Sequence, residues 1–351
     1  MHIPLNPLEA LRIVASQFAR LPYPTHDFTG QTIIVTGANT GLGLEAARHF
    51  VRLNASRVIL AVRDPAKGAA AAESIAVSTG RPGVAQVWDL DLSRRASVEA
   101  FAARVNTSGE LDRVDRVVEN AGVLTKKFAM DPDRVCEQTI TVNVVNTLYL
   151  GLLLLPKLRE TSVKFADETT GASKPRETVL TFVGSFVHFL TWFPERRHPS
   201  HAGVFEGLAD KEKARMFDRY NVSKMMELLL VRELAGHVSA REEKDPAGAG
   251  RVTVSVVNPG WVITDLQREG VGLLMALGRR FVARDTELGS RTLVHAAQGG
   301  RETHGQFLSD CRVDQASGWV RSADGQATQK KLWAELMEML ERTNPDVRNA
   351  L

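Results

Sequence analysis

The sequence predicts a single doubly wound α/β domain, in which helices cover both faces of a mostly parallel, seven-stranded sheet. Short apolar segments rich in Val and Ile alternate with helix-forming segments along the 351-residue chain, a pattern typical of a parallel sheet. A glycine-rich turn joins the first apolar segment to the first helical segment that follows it. No stretch rich in Pro, Gly or Ser divides the chain, which favours one domain with insertions.

The order of the elements follows from local composition. Strands are expected where β-branched and apolar residues run together, at 32–35, 57–62, 84–88, 114–118, 178–183, 251–257 and 306–308. Helices are expected where Ala, Leu, Glu and Arg dominate, at 44–51, 66–78, 98–105, 132 to about 158, 221–234 and 330–340. The helix expected from residue 132 passes Asn143, and the helix at 221–234 carries Tyr220 at its start.

Extensions are expected at both ends of the domain. Residues 1–28 contain an amphipathic helix that is too polar to span a bilayer, and we expect it to pack on the protein rather than on a membrane. The central domain covers 29–322, and residues 323–351 form a helical tail. Within the domain we expect insertions at about 161–177 and 188–215, and a substrate loop at about 265–285.

The composition restricts the classes of partner. The formal net charge is only +3 and the basic residues are scattered, which argues against a nucleic-acid-binding protein. The two cysteines, Cys136 and Cys311, lack metal-site spacing, and no metal site is expected. So few cysteines and no visible secretory signal favour a soluble protein of the cytoplasm.

The turn Gly37-x-x-x-Gly41-x-Gly43 lies between a predicted strand and a predicted helix. Glycine permits the backbone angles of such a tight turn and lets a ligand approach the main chain. The N–H groups and the positive dipole end of the following helix favour a phosphate, so this placement favours a pyrophosphate site over an ordinary strand-to-helix connection.

Polar residues follow several predicted strands, where ligands of open parallel sheets bind. These residues are Arg63, Asp91, Asn120, Ser185 and Asn258. An arginine after the second strand can accept a 2′-phosphate and favours NADP over NAD, although the adjacent Asp64 weakens this distinction. Asp91 is as well suited to cap the following helix as to meet an adenine amino group.

Tyr220 and Lys224 lie one helical turn apart on a predicted helix. A nearby ammonium lowers the pKa of a phenol, so this pair can exchange a proton near neutral pH, although the pattern alone also fits an exposed surface. Ser185 can hydrogen-bond a reacting oxygen or cap a turn. Asn143, within an apolar helix, fits a packing or helix-bending role.

Together these residues resemble the short-chain dehydrogenase/reductase family. The matching motifs occur in the family's order and span most of the chain: Thr36-Gly37-x-x-x-Gly41-x-Gly43, Asp91, Asn120-Ala121-Gly122, Asn143, Ser185, Tyr220-x-x-x-Lys224 and Asn258-Pro259-Gly260-Trp261-Val262-Ile263-Thr264. The segments 61–64, 289–297 and 308–311 are similar to the retinol dehydrogenase and protochlorophyllide reductase-like branch, and to its fungal members that tailor secondary metabolites.

The resemblance implies a Rossmann-type domain and a role for each matching residue. Tyr220 exchanges a proton with the substrate oxygen, Lys224 lowers its pKa and binds the nicotinamide ribose, Ser185 holds the same oxygen, and Asn143 helps to hold a relay water. The implied NADP(H)-binding residues are Gly37, Asn39, Thr40, Gly41, Leu42, Gly43, Arg63, Asp91, Leu92, Asn120, Ala121, Gly122, Tyr220, Lys224, Pro259, Gly260, Val262 and Thr264. The family often pairs its subunits, so a homodimer is compatible with the sequence.

Three departures from the family pattern concern Glu119, Gly184 and the interval between Ser185 and Tyr220. Glu119 stands where the family usually has Asn, and Gly184 stands where it often has Ser. The long interval contains aromatic residues and begins beside Ser185, so a substrate wall is favoured over a surface loop without substrate contact. The apolar run at 273–277 in the loop after Thr264 predicts an apolar substrate.

The sequence therefore predicts an NADP(H)-dependent oxidoreductase (EC 1.1.1.-) that interconverts a carbonyl and an alcohol on an apolar small molecule, as a ketoreductase of secondary metabolism. The alternative is a non-redox isomerase or cyclase, or a regulatory protein that binds the cofactor. Loss of Tyr220, Lys224 or Ser185 would favour that alternative, and all three are present.

Overall fold

A computed structural model describes residue 5 and residues 7–133, 135–166, 175–197, 203–246, 248–263 and 283–351. These residues contain eight strands: β1 Thr32–Thr36, β2 Arg57–Val62, β3 Ala85–Asp89, β4 Arg116–Glu119, β5 Glu177–Val183, β6 Arg251–Asn258, β7 Phe307–Ser309 and β8 Arg312–Asp314. The strands form one sheet with the order β3-β2-β1-β4-β5-β6-β7-β8. All neighbours pair in parallel except β7 and β8, which are antiparallel.

The predicted α/β class and mostly parallel sheet are confirmed, but the sheet has one more strand than predicted. The extra strand, β8, follows β7 through a turn in which Asp310 and Cys311 both have positive φ, 54° and 56°. Such turns usually contain Gly or Asn, which this one lacks. The strand itself has only three residues, Arg312 to Asp314, so its hydrophobic pattern is too short to recognise.

Helices cover both faces of the sheet. They are α1 Pro7–Ser16, α2 Gly41–Arg52, α3 Pro65–Thr79, α4 Arg95–Thr107, α5 Gln138–Ile140, α6 Asn146–Lys164, α7 Val204–Ala209, α8 Arg219–Lys244, α9 Thr286–Gln298, α10 Gly318–Arg321 and α11 Ala323–Glu341. Successive side chains of β1 point to opposite faces, so Ile33 and Val35 pack with α2, α3 and α9, whereas Ile34 packs with α4, α6, α8 and α11. This alternation produces the doubly wound arrangement.

Two helices at the centre differ in extent from the prediction. The helix expected from residue 132 begins at Gln138, because the carboxylate of Glu137 accepts hydrogen bonds from the first N–H groups of α5. It continues through a π-helical turn, Thr141–Val145, and α6 then reaches Lys164, inside the insertion expected at 161–177. The helix of Tyr220 reaches Lys244, past its expected end at residue 234.

One helical stretch of the described chain, Gln138–Lys164, is long and apolar enough to cross a bilayer. Of its most apolar window, 89% is buried inside the protein, as in the core helix of a water-soluble domain. Its apolar composition is therefore explained by packing against the sheet and α4.

The N-terminal helix α1 lies on the protein, but with the opposite face from the one that its amphipathic pattern predicts. Its polar side chains contact the body: Arg12 pairs with Asp314, and Glu9 accepts a hydrogen bond from the Gly318 N–H at 3.0 Å. Leu8 and Leu11 are 77% and 66% exposed.

The C-terminal helix α11 belongs to the same hydrophobic core as α8. Leu332, Leu336 and Met337 are fully buried in that core, and the ring of Trp333 stacks on His237 of α8 with 4.9 Å between the centroids. The tail therefore stabilises the helix that carries Tyr220.

We expect Leu336→Ala to lower the free energy of unfolding by about 2 to 5 kcal/mol, because it leaves a cavity between α11 and the core. Chemical denaturation followed by circular dichroism measures this loss. Lys330→Ala, at an exposed position of the same helix, is the control and should change stability by less than about 0.5 kcal/mol. Equal stability of both variants would show that α11 is not part of the core.

Candidate functional site

The glycine-rich turn after β1 has no room for side chains. Gly37 and Gly41 have positive φ, 65° and 59°. A Cβ on Gly43 would lie 2.5 Å from the Asn120 Nδ2 and 2.6 Å from the Gly37 carbonyl oxygen. Helix α2 begins at Gly41, so its first N–H groups, which have no partner within the helix, lie beside this turn. The geometry is a backbone cradle suited to a phosphate.

Thr36 and Asn120 tie the end of β1 to the end of β4. The Thr36 hydroxyl accepts hydrogen bonds from the N–H groups of Asn120 and Ala121 at 2.9 and 3.0 Å, and the Asn120 amide donates to the Thr36 carbonyl at 2.8 Å. Gly122 follows closely enough that a Cβ there would lie 3.3 Å from the Asn143 Oδ1. The predicted Asn120-Ala121-Gly122 segment therefore lies against the glycine-rich turn.

Arg63 and Asp64 at the end of β2 have different environments. The Asp64 carboxylate caps α3 and accepts hydrogen bonds from the Ala66 and Lys67 N–H groups, both at 3.1 Å. Arg63 is exposed, and its guanidinium has no ion pair or hydrogen bond with any residue that the structure describes. The competing carboxylate is thus held by α3, and Arg63 is the charged group available at this strand end.

Asp91 and Leu92 stabilise the turn after β3. The Asp91 Oδ1 accepts hydrogen bonds from the Ser93 N–H at 2.9 Å and the Ser93 hydroxyl at 2.7 Å. The Leu92 carbonyl accepts one from the Asn146 amide at 2.8 Å. Asp91 therefore stabilises the turn before α4 but does not cap that helix, because the N-cap residue is Arg94.

Asn143 lies fully buried in the π-helical turn before α6. Its Oδ1 accepts a hydrogen bond from the Val123 N–H at 2.8 Å, and its Nδ2 donates to the Val123 carbonyl at 2.9 Å and to the Ser223 hydroxyl at 3.0 Å. It therefore joins the loop after β4 to α8, next to Lys224. Such π-helical turns occur frequently at functional sites.

Lys224 is fixed to the end of β5. Its Nζ donates hydrogen bonds to the Val183 carbonyl at 2.7 Å and to the Glu227 carboxylate at 2.8 Å. Tyr220 lies one turn earlier on the same helix, and Ser185 follows Val183 by two residues. These hydrogen bonds bring the helix of Tyr220 against the strand that ends at Ser185.

Ser185 caps the 3₁₀ helix Phe186–Leu190. Its hydroxyl oxygen accepts a hydrogen bond from the Val187 N–H at 3.3 Å. A hydroxyl that accepts a bond in this way still has its proton to donate. The capping role and hydrogen bonding to a reacting oxygen are therefore compatible.

The net pKa shift of Tyr220 is upward, although the charge of Lys224 acts in the predicted direction and lowers the pKa. Burial raises the pKa most, the charge of Lys224 lowers it by less, and the charge of Glu227 raises it again. Burial also lowers the pKa of Lys224, but Glu227 and Tyr220 outweigh this effect and the net shift is upward. Glu227 was not predicted, and its only signal in the sequence is a carboxylate three residues after Lys224.

The segment after β6 is held by buried side chains. The Asn258 Oδ1 accepts hydrogen bonds from the Phe186 N–H at 3.0 Å and the Gly260 N–H at 3.1 Å, and the Pro259 carbonyl accepts one from Arg284 at 3.0 Å. Val262 pairs with Arg284 in an isolated bridge. Thr264 and most of the loop expected at 265–285 lie outside the described residues.

The N-terminal extension contacts this segment directly. The Gln17 Oε1 accepts a hydrogen bond from the Trp261 N–H at 3.0 Å, and Arg284 donates to the Ser16 carbonyl and, at 2.6 Å, to the Asp310 carboxylate. Sequence reasoning missed these contacts, because nothing in residues 1–28 indicates a partner so distant in the chain.

The aromatic insertion after Ser185 is partly core. Phe189 and Phe193 are buried, whereas Trp192 is 53% exposed. The His188 Nδ1 lies 2.7 Å from the Ser185 carbonyl oxygen, and burial lowers the pKa of His188 to about 4, which keeps its ring neutral. His198 and His201 lie outside the described residues. Among the described residues no group of three or more His, Cys, Asp and Glu side chains is arranged to hold a metal ion.

Comparisons with known proteins show which family the chain resembles. A family model described as short chain dehydrogenase matches residues 31–163. The chain is 41% identical over 346 residues to the short-chain dehydrogenase anuD of Penicillium roqueforti, covering 97% of this chain and 85% of the relative. It is 45% identical over 303 residues to the short chain dehydrogenase atnD of Emericella nidulans, covering 85% and 90%.

A solved structure shares the fold at low sequence identity. The short-chain dehydrogenase from Sphingobium yanoikuyae in complex with NADPH superimposes with a TM-score of 0.51 and 20% identity, covering 74% of this chain and 81% of that one.

We expect Gly43→Ala to lower the free energy of unfolding by about 1 to 3 kcal/mol, because the added methyl group overlaps backbone atoms of the turn. Gly236→Ala in α8 is the matched control, since a Cβ there meets no atom within 4 Å. Denaturant unfolding of the two variants compares them directly. A Gly43→Ala protein as stable as the control would mean that the turn is not closed as described.

Proposed function

Because the chain belongs to the short-chain dehydrogenase family, we propose that it is an NADP(H)-dependent oxidoreductase that interconverts a carbonyl and an alcohol on an apolar small molecule. The observation that carries this proposal is the attachment of α8 to β5 through Lys224, which brings Tyr220 and Ser185 to one edge of the sheet. A phenol and a hydroxyl beside one substrate oxygen are the groups that proton exchange with a carbonyl or alcohol requires.

The residues present fit a nicotinamide dinucleotide. The closed turn at Gly37 and Gly43 offers backbone N–H groups to a pyrophosphate, and a Cβ at Gly43 would overlap the backbone of that turn. Pro259, Gly260 and Val262 follow Asn258, which is bonded to the residue after Ser185, and would hold the other end of the cofactor. When bound, the nicotinamide ring donates or accepts the hydride.

The protein's own residues handle the proton and orient the substrate. In reduction, the Tyr220 hydroxyl donates its proton to the carbonyl oxygen, and in oxidation Tyr220 accepts the alcohol proton. Ser185 donates a hydrogen bond to the same oxygen. Lys224 provides a positive charge that stabilises the phenolate, and Asn143 holds the loop after β4 against α8.

The environment of Arg63 supports NADP(H) over NAD(H). Selection for the unphosphorylated ribose needs a free carboxylate at the end of β2, and Asp64 already caps α3. Arg63 can instead pair with a 2′-phosphate. The Sphingobium protein, which shares the fold, is in complex with NADPH.

We further propose an apolar ketone or aldehyde as substrate and a role as ketoreductase in secondary metabolism. The sequence of the loop at 265–285 supports the apolar substrate through the run Leu273-Leu274-Met275-Ala276-Leu277. The organisms of the two relatives, Penicillium roqueforti and Emericella nidulans, are fungi, in agreement with the resemblance to fungal tailoring reductases.

We expect Tyr220→Phe to lower kcat at least 100-fold, because the proton donor is removed, while NADPH binding stays within about threefold of the unmodified protein. Absorbance of NADPH across a panel of apolar ketones and aldehydes measures turnover, and NADPH fluorescence measures binding. Tyr23→Phe, at a tyrosine that is 52% exposed, is the control and should retain full activity.

The outcomes separate the role of Tyr220 from the function. Normal turnover by Tyr220→Phe would exclude Tyr220 as the proton donor. An unmodified protein that binds no NADPH and oxidises none on any carbonyl would contradict the proposed function.

We expect Arg63→Ala to weaken NADPH binding by about 10- to 100-fold and NADH binding by less than about threefold, because a charge-assisted contact to the 2′-phosphate is lost. Fluorescence titration with both cofactors gives the ratio. Arg94, an exposed arginine after the next strand, is the control, because its replacement by Ala should affect both cofactors equally. An equal loss for both in Arg63→Ala would refute the contact.

A further inference from the structure

Glu227 is a buried carboxylate bonded directly to the lysine of the site. It is 1% exposed and accepts a hydrogen bond from the Lys224 Nζ at 2.8 Å. The same ammonium donates to the Val183 carbonyl at 2.7 Å, so its position is fixed from two sides. A buried carboxylate so close to an ammonium reduces the field that the ammonium exerts on other groups.

A second buried carboxyl group, Glu119 on β4, lies within electrostatic reach of Glu227. Glu119 is fully buried, and its Oε2 accepts a hydrogen bond from the Thr36 hydroxyl at 3.2 Å. Its Oε1 has no hydrogen-bond partner among the described residues. Burial raises the pKa of Glu119 to about 8 and that of Glu227 to about 7, and Glu227 adds to the shift of Glu119. Glu227 faces the Lys224 ammonium, whereas Glu119 faces only a neutral hydroxyl, so Glu227 is the carboxyl group whose negative charge is stabilised.

We propose that Glu227 is a positioning residue for the reaction, which holds the Lys224 ammonium against the end of β5 and offsets its field at the Tyr220 hydroxyl. The kinetic part of this inference rests on the proposed function, whereas the position of the charges does not. The groups that determine the outcome are Lys224 and Tyr220 on α8 and Glu119 on β4.

The sign of the effect follows from the charges. Lys224 favours the Tyr220 phenolate, and a negative Glu227 disfavours it. In Glu227→Gln the amide oxygen can still accept the hydrogen bond from Lys224, so the ammonium stays while the negative charge is lost. Tyr220 should then ionise at a lower pH. A shift of roughly one pH unit is expected for one charge acting over several ångströms in a partly polar interior.

The chain contains only three tyrosines, which permits a direct titration. In a Tyr23→Phe background the remaining two are Tyr149 and Tyr220, and burial raises the pKa of Tyr149 to about 12. Because burial raises the pKa of Tyr220 as well, Tyr149→Phe is added to this background, so that the ultraviolet absorbance of tyrosinate reports Tyr220 alone. We compare Glu227→Gln with Glu233→Gln, a carboxylate of the same helix that accepts a hydrogen bond from Gln329 at 2.6 Å.

The expected result is ionisation of Tyr220 about one pH unit lower in Glu227→Gln and no change in Glu233→Gln. Ionisation at the same or a higher pH in Glu227→Gln would overturn the inference. Glu227→Asn, which also removes the charge and keeps an amide oxygen as a possible acceptor for Lys224, gives the same test if the glutamine variant does not fold. Circular dichroism at each pH shows that the variants remain folded.

The pH profile of kcat/KM for alcohol oxidation supplies an independent readout. Oxidation needs the Tyr220 phenolate. The ascending limb of the pH profile should therefore move to lower pH in Glu227→Gln by the same amount as the tyrosinate titration. Glu227→Asp keeps the charge and should keep the limb within about 0.3 pH units of the unmodified protein. If no substrate is turned over, the proposed function fails, and the tyrosinate titration alone decides the inference.

Discussion

The buried Lys224 ammonium imposes the constraint on which the centre of the molecule depends. A charge removed from water must be surrounded by hydrogen-bond acceptors, and here the Val183 carbonyl and the Glu227 carboxylate supply them. Because Val183 ends β5 and Glu227 lies on α8, satisfying this charge fixes the helix on the strand. The positions of Tyr220 and Ser185 follow from that contact, since each lies within one turn or two residues of a bonded group.

Short polar side chains extend the same constraint across the sheet edge. Asn143 links the loop after β4 to Ser223, the neighbour of Lys224, and Thr36 links that loop to the glycine-rich turn. The two ends of the candidate site are therefore joined by hydrogen bonds of 2.8 to 3.0 Å. This continuity places the glycine-rich turn and the helix of Tyr220 at one edge of the sheet.

The sheet could be predicted from the sequence because it depends on local patterns, and local patterns also indicated the candidate site residues, whose roles stay predictions. Alternating apolar and helical segments determine a parallel sheet, and glycines between strand and helix indicate a phosphate cradle. The strand β8 escaped prediction because three residues carry no periodicity. The upward pKa shift of Tyr220 was not predicted, because burial and the partner of Lys224 depend on tertiary packing. The substrate loop and Thr264 lie outside the described residues, so their roles stay predictions.

The N-terminal helix shows why amphipathic pattern alone can predict the wrong face. Arg284 and Asp310 form a nearly inaccessible ion pair beside the segment after β6, with side chains 1% and 4% exposed. Further hydrogen bonds stabilise such a buried pair, and Ser16 supplies two of them, since its carbonyl accepts one from Arg284 and its hydroxyl donates one to Asp310. Placing an apolar face there would leave charges without partners, which costs more than exposing a few leucines. The polar face of α1 therefore turns inward, and Gln17 comes to hold the main chain at Trp261.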